Sequence, residues 1–336
     1  MKVIERHWYR PRAWLTVLLA PLEALFGSVS ALRRALYRVG MLKRERLPVP
    51  VVVIGNINVG GVGKTPLTLA LIEAFKARGV PVGVISRGYG GAHTVPTEVA
   101  PQATAAEVGD EPLLMAAGGA PVVVGRDRVA AGHLLLERHP EVQLILSDDG
   151  LQHYRLTRDL ELAVLDGARG IGNGRLLPNG PLRETAGRLR TVDAIVVNGP
   201  LVGGARWLPT EVPRFDMTLE PGAFVSLAEP SRTRRAAEFA GERLVALAGI
   251  GHPERFFRTL EQLGLKPGRR LAFPDHHAFQ PQDIPDDADA VLVTAKDAVK
   301  LHCVNRARLW VLPVRARLAP DLADWILARL KIRHGR

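Results

Sequence analysis

The segment from Gly55 to Pro66 constrains the fold of this 336-residue chain most, because it places a glycine-rich turn between a strand pattern and a helix pattern. Its sequence, GNINVGGVGKTP, is typical of a phosphate-binding loop. Glycines let backbone N–H groups converge on phosphate oxygens, and the positive end of the helix dipole adds to the attraction. We expect Lys64 to reach the β- and γ-phosphates and the Thr65 hydroxyl to bind Mg²⁺. The predicted nucleotide-binding residues are Asn58, Gly60, Gly61, Val62, Gly63, Lys64 and Thr65.

Short β-branched runs alternate with helical stretches from Val49 onward, which predicts a parallel sheet covered by helices on both faces. The predicted strands of this part are 51–54, 82–85, 122–124, 144–146, 162–165 and 194–197, with helices at 66–78 and 128–138. Further along, less regular strands near 215–219, 223–227, 244–248, 291–294 and 309–311 and a helix at 254–263 indicate a smaller α/β domain. The predicted fold class is α/β, with a P-loop core at 48–212, a C-terminal domain at 213–336 and N-terminal helices at 1–47.

Two adjacent aspartates, Asp148 and Asp149, follow the strand at 144–146. A carboxylate at the carboxyl end of a parallel strand lies where open α/β sheets bind ligands, and there it can hold Mg²⁺ directly or through water. A simple turn is the alternative, which the phosphate loop makes less favoured. The sequence leaves open which aspartate faces the metal. His153, in the same segment, and Arg87, after the second strand, are predicted phosphate or substrate contacts.

Asp110, in the sequence Gly109-Asp110-Glu111-Pro112, precedes a helical stretch and has two readings. It caps the helix, or it accepts a proton from an attacking hydroxyl near the γ-phosphate, and the spacing leaves both open. Arg87 either clamps a phosphate or is a solvated loop arginine, and Arg126 and Arg128 share that ambiguity.

The segment from Phe273 to Phe279 contains Asp275, His276 and His277 and is the densest titratable group of the second half. Two adjacent histidines are too few for a metal site. A histidine paired with a distant carboxylate is the functional reading, and a solvated loop is the alternative. The Lys296-Asp297 pair that follows a strand only faintly resembles a guanine-reading motif, and we do not interpret it as GTP specificity.

The first 46 residues hold ten Lys or Arg and three acidic residues, so that +7 of the net charge of +11 lies there. The apolar run from Ala13 to Ala20 is interrupted by Pro21, and we expect it to be too short for a spanning helix, which needs about 20 apolar residues. Resumed arginines after the run argue against a cleaved signal peptide. From there the spacing is helical, with an apolar stripe at Leu22, Leu25, Phe26, Val29, Leu32, Leu36 and Val39.

This N-terminal pattern favours helices that lie in a membrane surface with their basic side toward anionic headgroups. An amphipathic helix packed on its own domain is the alternative. A nucleic-acid-binding NTPase is less favoured, because aromatic residues are 5% of the chain and the charge lies beside an apolar stripe.

The single cysteine, Cys303, excludes an internal disulfide and a Cys-based zinc site and fits a reducing cytosol. It also argues against a metal-inserting P-loop GTPase or ATPase, which needs a Cys and His cluster. A binding module without turnover is the least favoured, since Lys64, Thr65 and the aspartates form a hydrolysis-competent set.

Together these motifs resemble the tetraacyldisaccharide 4′-kinase (lipid A 4′-kinase) family, from about Trp8 to the C-terminal region. The shared elements are GNINVGGVGKTP at 55–66, SRGYG at 86–90, GDEP at 109–112, DDGLQH at 148–153, LPNGPLRE at 177–184, GIGHP at 249–253, FPDHH at 273–277 and KDAVK at 296–300. Asn58 replaces the glycine of the common P-loop pattern, and this family also carries asparagine there.

The resemblance implies a RecA-like P-loop core joined to a smaller domain through a two-stranded hinge. It implies an enzyme on the cytoplasmic face of the bacterial inner membrane that uses ATP and Mg²⁺ to phosphorylate the 4′-hydroxyl of a lipid A disaccharide 1-phosphate. Asp110 becomes the expected general base, oriented or made more basic by His276, with Asp148 and Asp149 on the metal side. The expected partners are this lipid and the anionic membrane surface, not nucleic acid, with the oligomeric state left open.

Overall fold

The strands of the protein follow the β-branched runs of the sequence. The computed structural model describes residues 2–204, 206–301 and 307–332; Cys303 lies outside the described residues. The strands are β1 Val51–Gly55, β2 Val82–Ser86, β3 Thr97–Glu98, β4 Val122–Val124, β5 Leu144–Asp148, β6 Leu160–Asp166, β7 Ala194–Asn198, β8 Arg214–Pro221, β9 Phe224–Ser226, β10 Thr233–Arg234, β11 Leu244–Ala248, β12 Arg269–Ala272, β13 Ala290–Thr294, β14 Leu309–Leu312 and β15 Val314–Ala319. The predicted strands are confirmed to within two residues at their ends.

The helices cover the strands or precede them in the chain. They are α1 Lys2–Tyr9, α2 Ala13–Arg38, α3 Lys64–Ala77, α4 Ala105–Val108, α5 Asp110–Ala117, α6 Arg128–Arg138, α7 Pro253–Gln262, α8 Ala295–Ala298 and α9 Leu322–Leu330. Short 3₁₀ helices lie at Ala186–Thr191, Ala236–Phe239 and Pro281–Asp283.

The described residues form a first sheet of nine strands in the order β15-β8-β7-β6-β1-β5-β2-β4-β3. It is parallel except at its two edges, where β3 pairs with β4 and β15 pairs with β8 in antiparallel fashion. Strand β1 lies between β5 and β6, so the chain turns in opposite directions on its two sides. Ligands of open α/β sheets bind at such a switch point, beyond the carboxyl ends of the strands.

Alternate residues of β1 enter two different cores, as strand geometry requires. Val52 and Ile54 pack with Phe75 of α3 and with Ile326 of α9 on one face. Val51 and Val53 pack on the other face with residues of α6 and of the 3₁₀ helix Ala186–Thr191. Because both faces are covered, the strands are apolar throughout. This confirms the predicted α/β fold class with a P-loop core.

A second, six-stranded sheet has the order β10-β9-β14-β13-β11-β12, with β11 to β14 parallel. The chain enters it after β8 and leaves it before β15. These two strands pair along six residues, from Asp216 opposite Ala319 to Pro221 opposite Val314. A two-stranded ribbon therefore joins the two sheets.

The ribbon places part of the predicted C-terminal segment 213–336 in the first sheet. Strands β8 and β15 extend that sheet, and α9 packs Leu322, Ile326 and Leu327 into its core. The strand signal at 215–219 is local, whereas the return of β15 depends on pairing across about 100 residues, which the sequence pattern does not display. The division at residue 212 remains a prediction about domains.

Helix α2 runs without a break from Ala13 to Arg38, so the predicted interruption at Pro21 is wrong. Proline removes one backbone donor there, but the residue lies on the exposed side of the helix, where water can satisfy the free carbonyl. By length and composition α2 is sufficient to cross a membrane, contrary to our expectation for the run 13–20. Core helices and signal sequences also meet those two criteria.

One side of α2 packs on the part of the chain that contains the first sheet, and the other side is exposed. Leu15 and Leu19 are buried, and Glu23 accepts hydrogen bonds from the Leu176 amide and the Asn179 side chain. The exposed side carries the large apolar residues Trp14, Val17, Leu18, Leu22, Leu25, Val29 and Leu32. Much of the predicted apolar stripe is therefore exposed, whereas the polar side chains of Glu23 and Arg34 contact the protein.

Candidate active site

The phosphate loop follows β1 and ends at the first turn of α3, as predicted. Gly60 and Gly63 have φ angles of 108° and 100°, which favour glycine. Asn198 at the end of β7 donates its side-chain amide to the Val62 carbonyl at 2.9 Å. A Cβ on Gly63 would lie 2.5 Å from that same amide nitrogen. The loop is thus held in place by the end of β7, a strand that is distant from it in sequence.

Asparagines replace part of the usual glycine framework of this loop. The Asn58 side chain is fully buried and donates to the Gly170 carbonyl at 3.2 Å. The Asn56 amide donates to the Asn58 carbonyl at 2.6 Å, while its side-chain oxygen accepts from Lys64 Nζ at 3.3 Å. Asn58 therefore anchors the loop from within, and it does not line the cleft described below.

The two aspartates after β5 have opposite environments. Asp149, with φ of 46°, lies 3.3 Å from Lys64 Nζ and 3.2 Å from Arg183 Nη1. Burial by itself would raise the pKa of Asp149, but these two cations outweigh it and lower the pKa to about 2. Asp149 is ionised and paired at neutral pH.

Asp148 is 1% exposed, and its Oδ1 has no hydrogen-bond partner among the described residues. Its Oδ2 accepts from the Ser86 hydroxyl at 3.4 Å. Burial, with a smaller contribution from the nearby Glu111, raises the pKa of Asp148 to about 7. An unpartnered buried carboxylate oxygen beside the phosphate loop is the donor that a hard cation prefers.

Asp110 is the first residue of α5 and lies next to its N-cap, Gly109. It is 3% exposed, and its two oxygens lie 3.0 and 3.1 Å from His276 Nδ1, which donates to the ionised carboxylate. The structure therefore brings together two residues 166 positions apart. His276 has φ of 61° and its ring packs against Tyr89 at a centroid distance of 5.1 Å.

This contact changes the pKa of both groups. Burial by itself would raise the pKa of Asp110, but the hydrogen bond from His276 and the charge of Lys296 outweigh it and lower the pKa. The same hydrogen bond raises the pKa of His276. The expectation that His276 makes Asp110 more basic is therefore wrong: in this geometry it orients the carboxylate and stabilises its charge.

A cleft of about 1470 Å³ lies between the two sheets, and Asp110 is buried behind its wall, next to Glu111 and His276, which line it. Its walls include the phosphate loop, both aspartates after β5 and the His276 loop, together with Arg87, Arg126, Arg128 and His153. Burial lowers the pKa of His153 to about 4, so this histidine is neutral at pH 7. Arg87 is exposed at the cleft wall, whereas Arg128 is buried and donates to the Gly125 carbonyl at 2.8 Å. Arg128 is therefore the more rigid of the two.

The sequence predicts no individual role for several residues of the cleft. Arg183 pairs with Asp149, Glu184 accepts from Gln152 at 2.8 Å, and Lys296 lies beside Asp110. Each belongs to a motif quoted for the family resemblance, which is the only signal in the sequence that singles it out. Their partners come from distant segments, so spacing alone does not reveal them.

The described residues contain no cluster of three or more His, Cys, Asp or Glu able to hold a metal ion unaided. The donor set at the phosphate loop is of a different kind, since Mg²⁺ there takes one or two protein ligands and completes its shell with nucleotide phosphates and water. The free Oδ1 of Asp148 and the Thr65 hydroxyl, both on the cleft wall, fit that requirement.

Known proteins resemble the chain over its whole length. The sequence profile of the family described as tetraacyldisaccharide-1-P 4′-kinase (LpxK) matches residues 15–331. The tetraacyldisaccharide 4′-kinase of Chromobacterium violaceum is 68% identical over 341 residues and covers 100% of both chains. That of Neisseria gonorrhoeae is 46% identical over 334 residues, covering 98% of this chain and 96% of its own. A crystal structure of LpxK from Aquifex aeolicus in complex with ATP superposes with a TM-score of 0.80 at 30% identity, covering 94% of this chain and 99% of that one.

The loop geometry generates a prediction at Gly63. Gly63→Ala places a Cβ against Asn198 and forces a left-handed backbone on alanine, so we expect unfolding free energy to fall by about 1–3 kcal/mol. Calorimetry should show that the Kd for ATP rises at least about tenfold, which corresponds to a loss of about 1.4 kcal/mol of binding free energy. Gly61→Ala is the matched control, because a Cβ there meets no atom within 4 Å. Equal behaviour of the two variants would contradict the prediction.

Proposed function

The chain belongs to the tetraacyldisaccharide-1-P 4′-kinase family, and we propose that it transfers the γ-phosphate of ATP to the 4′-hydroxyl of a tetraacylated glucosamine disaccharide 1-phosphate. The product is lipid IVA, an intermediate of lipid A biosynthesis. The observation that carries this proposal is the cleft whose walls carry the phosphate loop on one side and, on the other, His276, which is hydrogen-bonded to the buried Asp110. ATP is the phosphate donor, in keeping with the ATP complex of the Aquifex aeolicus relative.

The phosphate loop supplies the donor half of the reaction. The loop amides and Lys64 would neutralise charge that develops on the β- and γ-phosphates, at the positive end of the α3 dipole. Lys64 is already oriented by Asn56 and Asp149, each 3.3 Å from its ammonium. Because these partners hold it in place, little reorganisation is needed when ATP binds.

Asp148 and Thr65 would hold Mg²⁺, with Asp149 beside them. Bound there, Mg²⁺ supplies electrostatic stabilisation of the transferring phosphoryl group. Asp148 is the favoured direct ligand, since its Oδ1 has no protein partner, whereas both oxygens of Asp149 engage Lys64 or Arg183. Asp149 would then act chiefly by orienting those two cations.

Asp110 would accept the proton of the attacking 4′-hydroxyl, with His276 as its orienting partner. Its lowered pKa keeps Asp110 ionised at neutral pH, so it is available as a base without prior deprotonation. His276 would stabilise the charged form through its Nδ1–H, and its raised pKa favours keeping that proton. The two residues belong to elements of different sheets and are already in contact, so closure about the β8–β15 ribbon would keep the pair together and exclude water.

The bare apolar face of α2 would meet the membrane. The helix contacts the domain from Leu15, near its start, to Arg34, whose side chain lies 3.4 Å from Glu184. A helix held along a water-soluble domain over this length lies on the bilayer surface and does not cross it. ATP is a cytosolic substrate, so we place this contact at the cytoplasmic face of the inner membrane. Exposed Arg38, near the end of the helix, would face anionic headgroups.

The central experiment measures label transfer from γ-labelled ATP to the lipid A disaccharide 1-phosphate in detergent with Mg²⁺. Asp110→Asn keeps the shape of the side chain but removes the base, so kcat should fall by about 10²–10⁴-fold. The Kd for ATP should stay within about threefold, because Asp110 contacts no part of the phosphate loop. Asp286→Asn, at an exposed aspartate of the C-terminal part, is the control. Absence of labelled lipid with the unmodified protein would refute the proposed function, and normal turnover of Asp110→Asn would remove Asp110 from it.

The metal assignment is tested by ATP binding with Mg²⁺ and with a chelator. Mg²⁺ should tighten binding of ATP to the unmodified protein, and Asp148→Asn should lose most of that gain while binding metal-free ATP at least as well. Asp149→Asn should instead weaken binding in both conditions, because it leaves Lys64 and Arg183 without their shared partner. The reverse pattern would make Asp149 the principal ligand.

Membrane docking is tested on the exposed face of α2. Leu18, Leu25 and Leu32 are 64%, 63% and 61% exposed, so replacing all three by Gln should leave the unfolding free energy nearly unchanged. Binding to vesicles should fall at least tenfold, since each buried leucine contributes about 1.5–3 kcal/mol. Deleting residues 1–40 is a less clean test, because Leu15, Leu19 and Glu23 contact the domain. Unchanged vesicle binding of the triple variant would place the membrane contact elsewhere.

A further inference from the structure

Lys296 occupies a position that the mechanism above does not use. It lies in the first turn of α8, directly after β13 of the second sheet, with a side chain only 20% exposed. Its Nζ is 3.2 Å from Glu111 Oε1, 3.3 Å from Asp275 Oδ1 and 3.7 Å from Asp110 Oδ2. One ammonium group therefore contacts two carboxylates of α5 and one of the His276 loop.

The neighbouring residues of the KDAVK segment fix the direction of Lys296. Asp297 is fully buried and accepts from the Gly249 amide at 3.1 Å and from the Thr294 hydroxyl at 2.6 Å. Lys300 pairs with Asp297 at 2.8 Å and donates to the Gly249 carbonyl at 2.9 Å. Because Asp297 is committed to this network, it is not available to read a guanine base, and its effect is to lock the turn that carries Lys296.

The charges around the base require such a cation. Asp110, Glu111 and Asp275 converge on one point of the cleft, and without Lys296 their mutual repulsion would separate α5 from the His276 loop. The ammonium of Lys296 offsets this repulsion and holds α5 and the His276 loop close together.

We propose that Lys296 is a positioning residue for the phosphoryl transfer, which holds the Asp110 carboxylate toward the acceptor hydroxyl and links α5 to the second sheet. The inference rests on the proposed function. In this arrangement His276 Nδ1 contacts both oxygens of the Asp110 carboxylate and Lys296 lies 3.7 Å from Oδ2, so together they hold the direction of the base. Lys296 itself touches neither substrate nor phosphate in the proposed reaction.

The electrostatics of the cleft agree with this geometry. Burial by itself would lower the pKa of Lys296, but Glu111, Asp110 and Asp275 outweigh it and raise the pKa, so the ammonium stays charged. The charge of Lys296 contributes to the lowered pKa of Asp110 and opposes the raised pKa of His276. Other charged or titratable groups near the pair are Glu111, Asp275, Lys300 and Tyr89, and Arg87 lines the same cleft.

Two substitutions separate charge from packing. Lys296→Met keeps the length of the apolar stem and removes the ammonium, whereas Lys296→Arg keeps the charge. We expect kcat of Lys296→Met to fall by about 30- to 100-fold with KM for ATP within about threefold, and Lys296→Arg to recover most of kcat. Lys266→Met is the matched control, because Lys266 is exposed on the same part of the chain and does not line the cleft.

The pH profile distinguishes a positioning role from a structural one. Loss of the ammonium removes an interaction that lowers the pKa of Asp110, so the base is protonated at higher pH than before. The acid limb of the kcat profile of Lys296→Met should therefore move upward by about one pH unit, and that of Lys296→Arg should not move. A purely structural role would lower the unfolding free energy of Lys296→Met and leave the profile in place.

A readout without any lipid separates this inference from the proposed function. NMR titration of His276, assigned through His276→Gln, should show its pKa higher in Lys296→Met than in the unmodified protein. If unmodified protein fails to phosphorylate the lipid but His276 shifts as expected, the proposed reaction is wrong and the ionic arrangement stands. If transfer is normal while Lys296→Met retains full kcat and an unshifted His276, the positioning role is overturned.

Discussion

Strands β1, β2 and β5 are neighbours in a parallel sheet, so their carboxyl ends share one edge, and the donor half of the site depends on this constraint. It places the phosphate loop, Ser86 and the two aspartates within reach of one another, although they come from three separate segments. Asp148 and Asp149 are adjacent, yet the end of the strand points one into a buried gap and the other toward Lys64 and Arg183. The pKa of Asp148 is thus raised and that of its neighbour Asp149 is lowered, which suits the two carboxylates to distinct roles.

The acceptor half depends on a second constraint, the β8–β15 ribbon. Because both crossings between the sheets belong to one paired ribbon, the second sheet is attached along a single edge of the first. Its loops carry His276 and Lys296 to the first turn of α5, where Asp110 is buried and has a lowered pKa. The proposed reaction therefore has its base and its phosphate loop on one sheet and the groups that orient the base on the other. The contacts that orient the proposed base therefore also link the two sheets across the cleft.

Local signals in the sequence were enough for the sheet core and the donor side. The strand patterns and GNINVGGVGKTP are short-range features, because burial on both faces and glycine turns leave their mark on consecutive residues. The contact of Asp110 with His276, by contrast, spans 166 positions, and here only the family resemblance pointed to the pair. The lowered pKa of Asp110 was not predicted either, because it depends on the hydrogen bond from His276 and then on the charge of Lys296, and no spacing rule reveals either contact.

The N-terminal helix illustrates the same limit and adds a mechanical consequence. Its basic residues suggested a side turned to headgroups, but Arg34 instead contacts Glu184, which accepts from Gln152 at 2.8 Å. Gln152 in turn donates to the Asn56 carbonyl at 3.1 Å, and Asn56 holds Lys64. Polar contacts thus run from the helix that would meet the bilayer to the lysine that would meet ATP. These contacts leave the apolar face of α2 outward, so a membrane docked there, as we propose, would lie at a defined distance from the phosphate loop, which suits an enzyme whose two substrates come from water and from lipid.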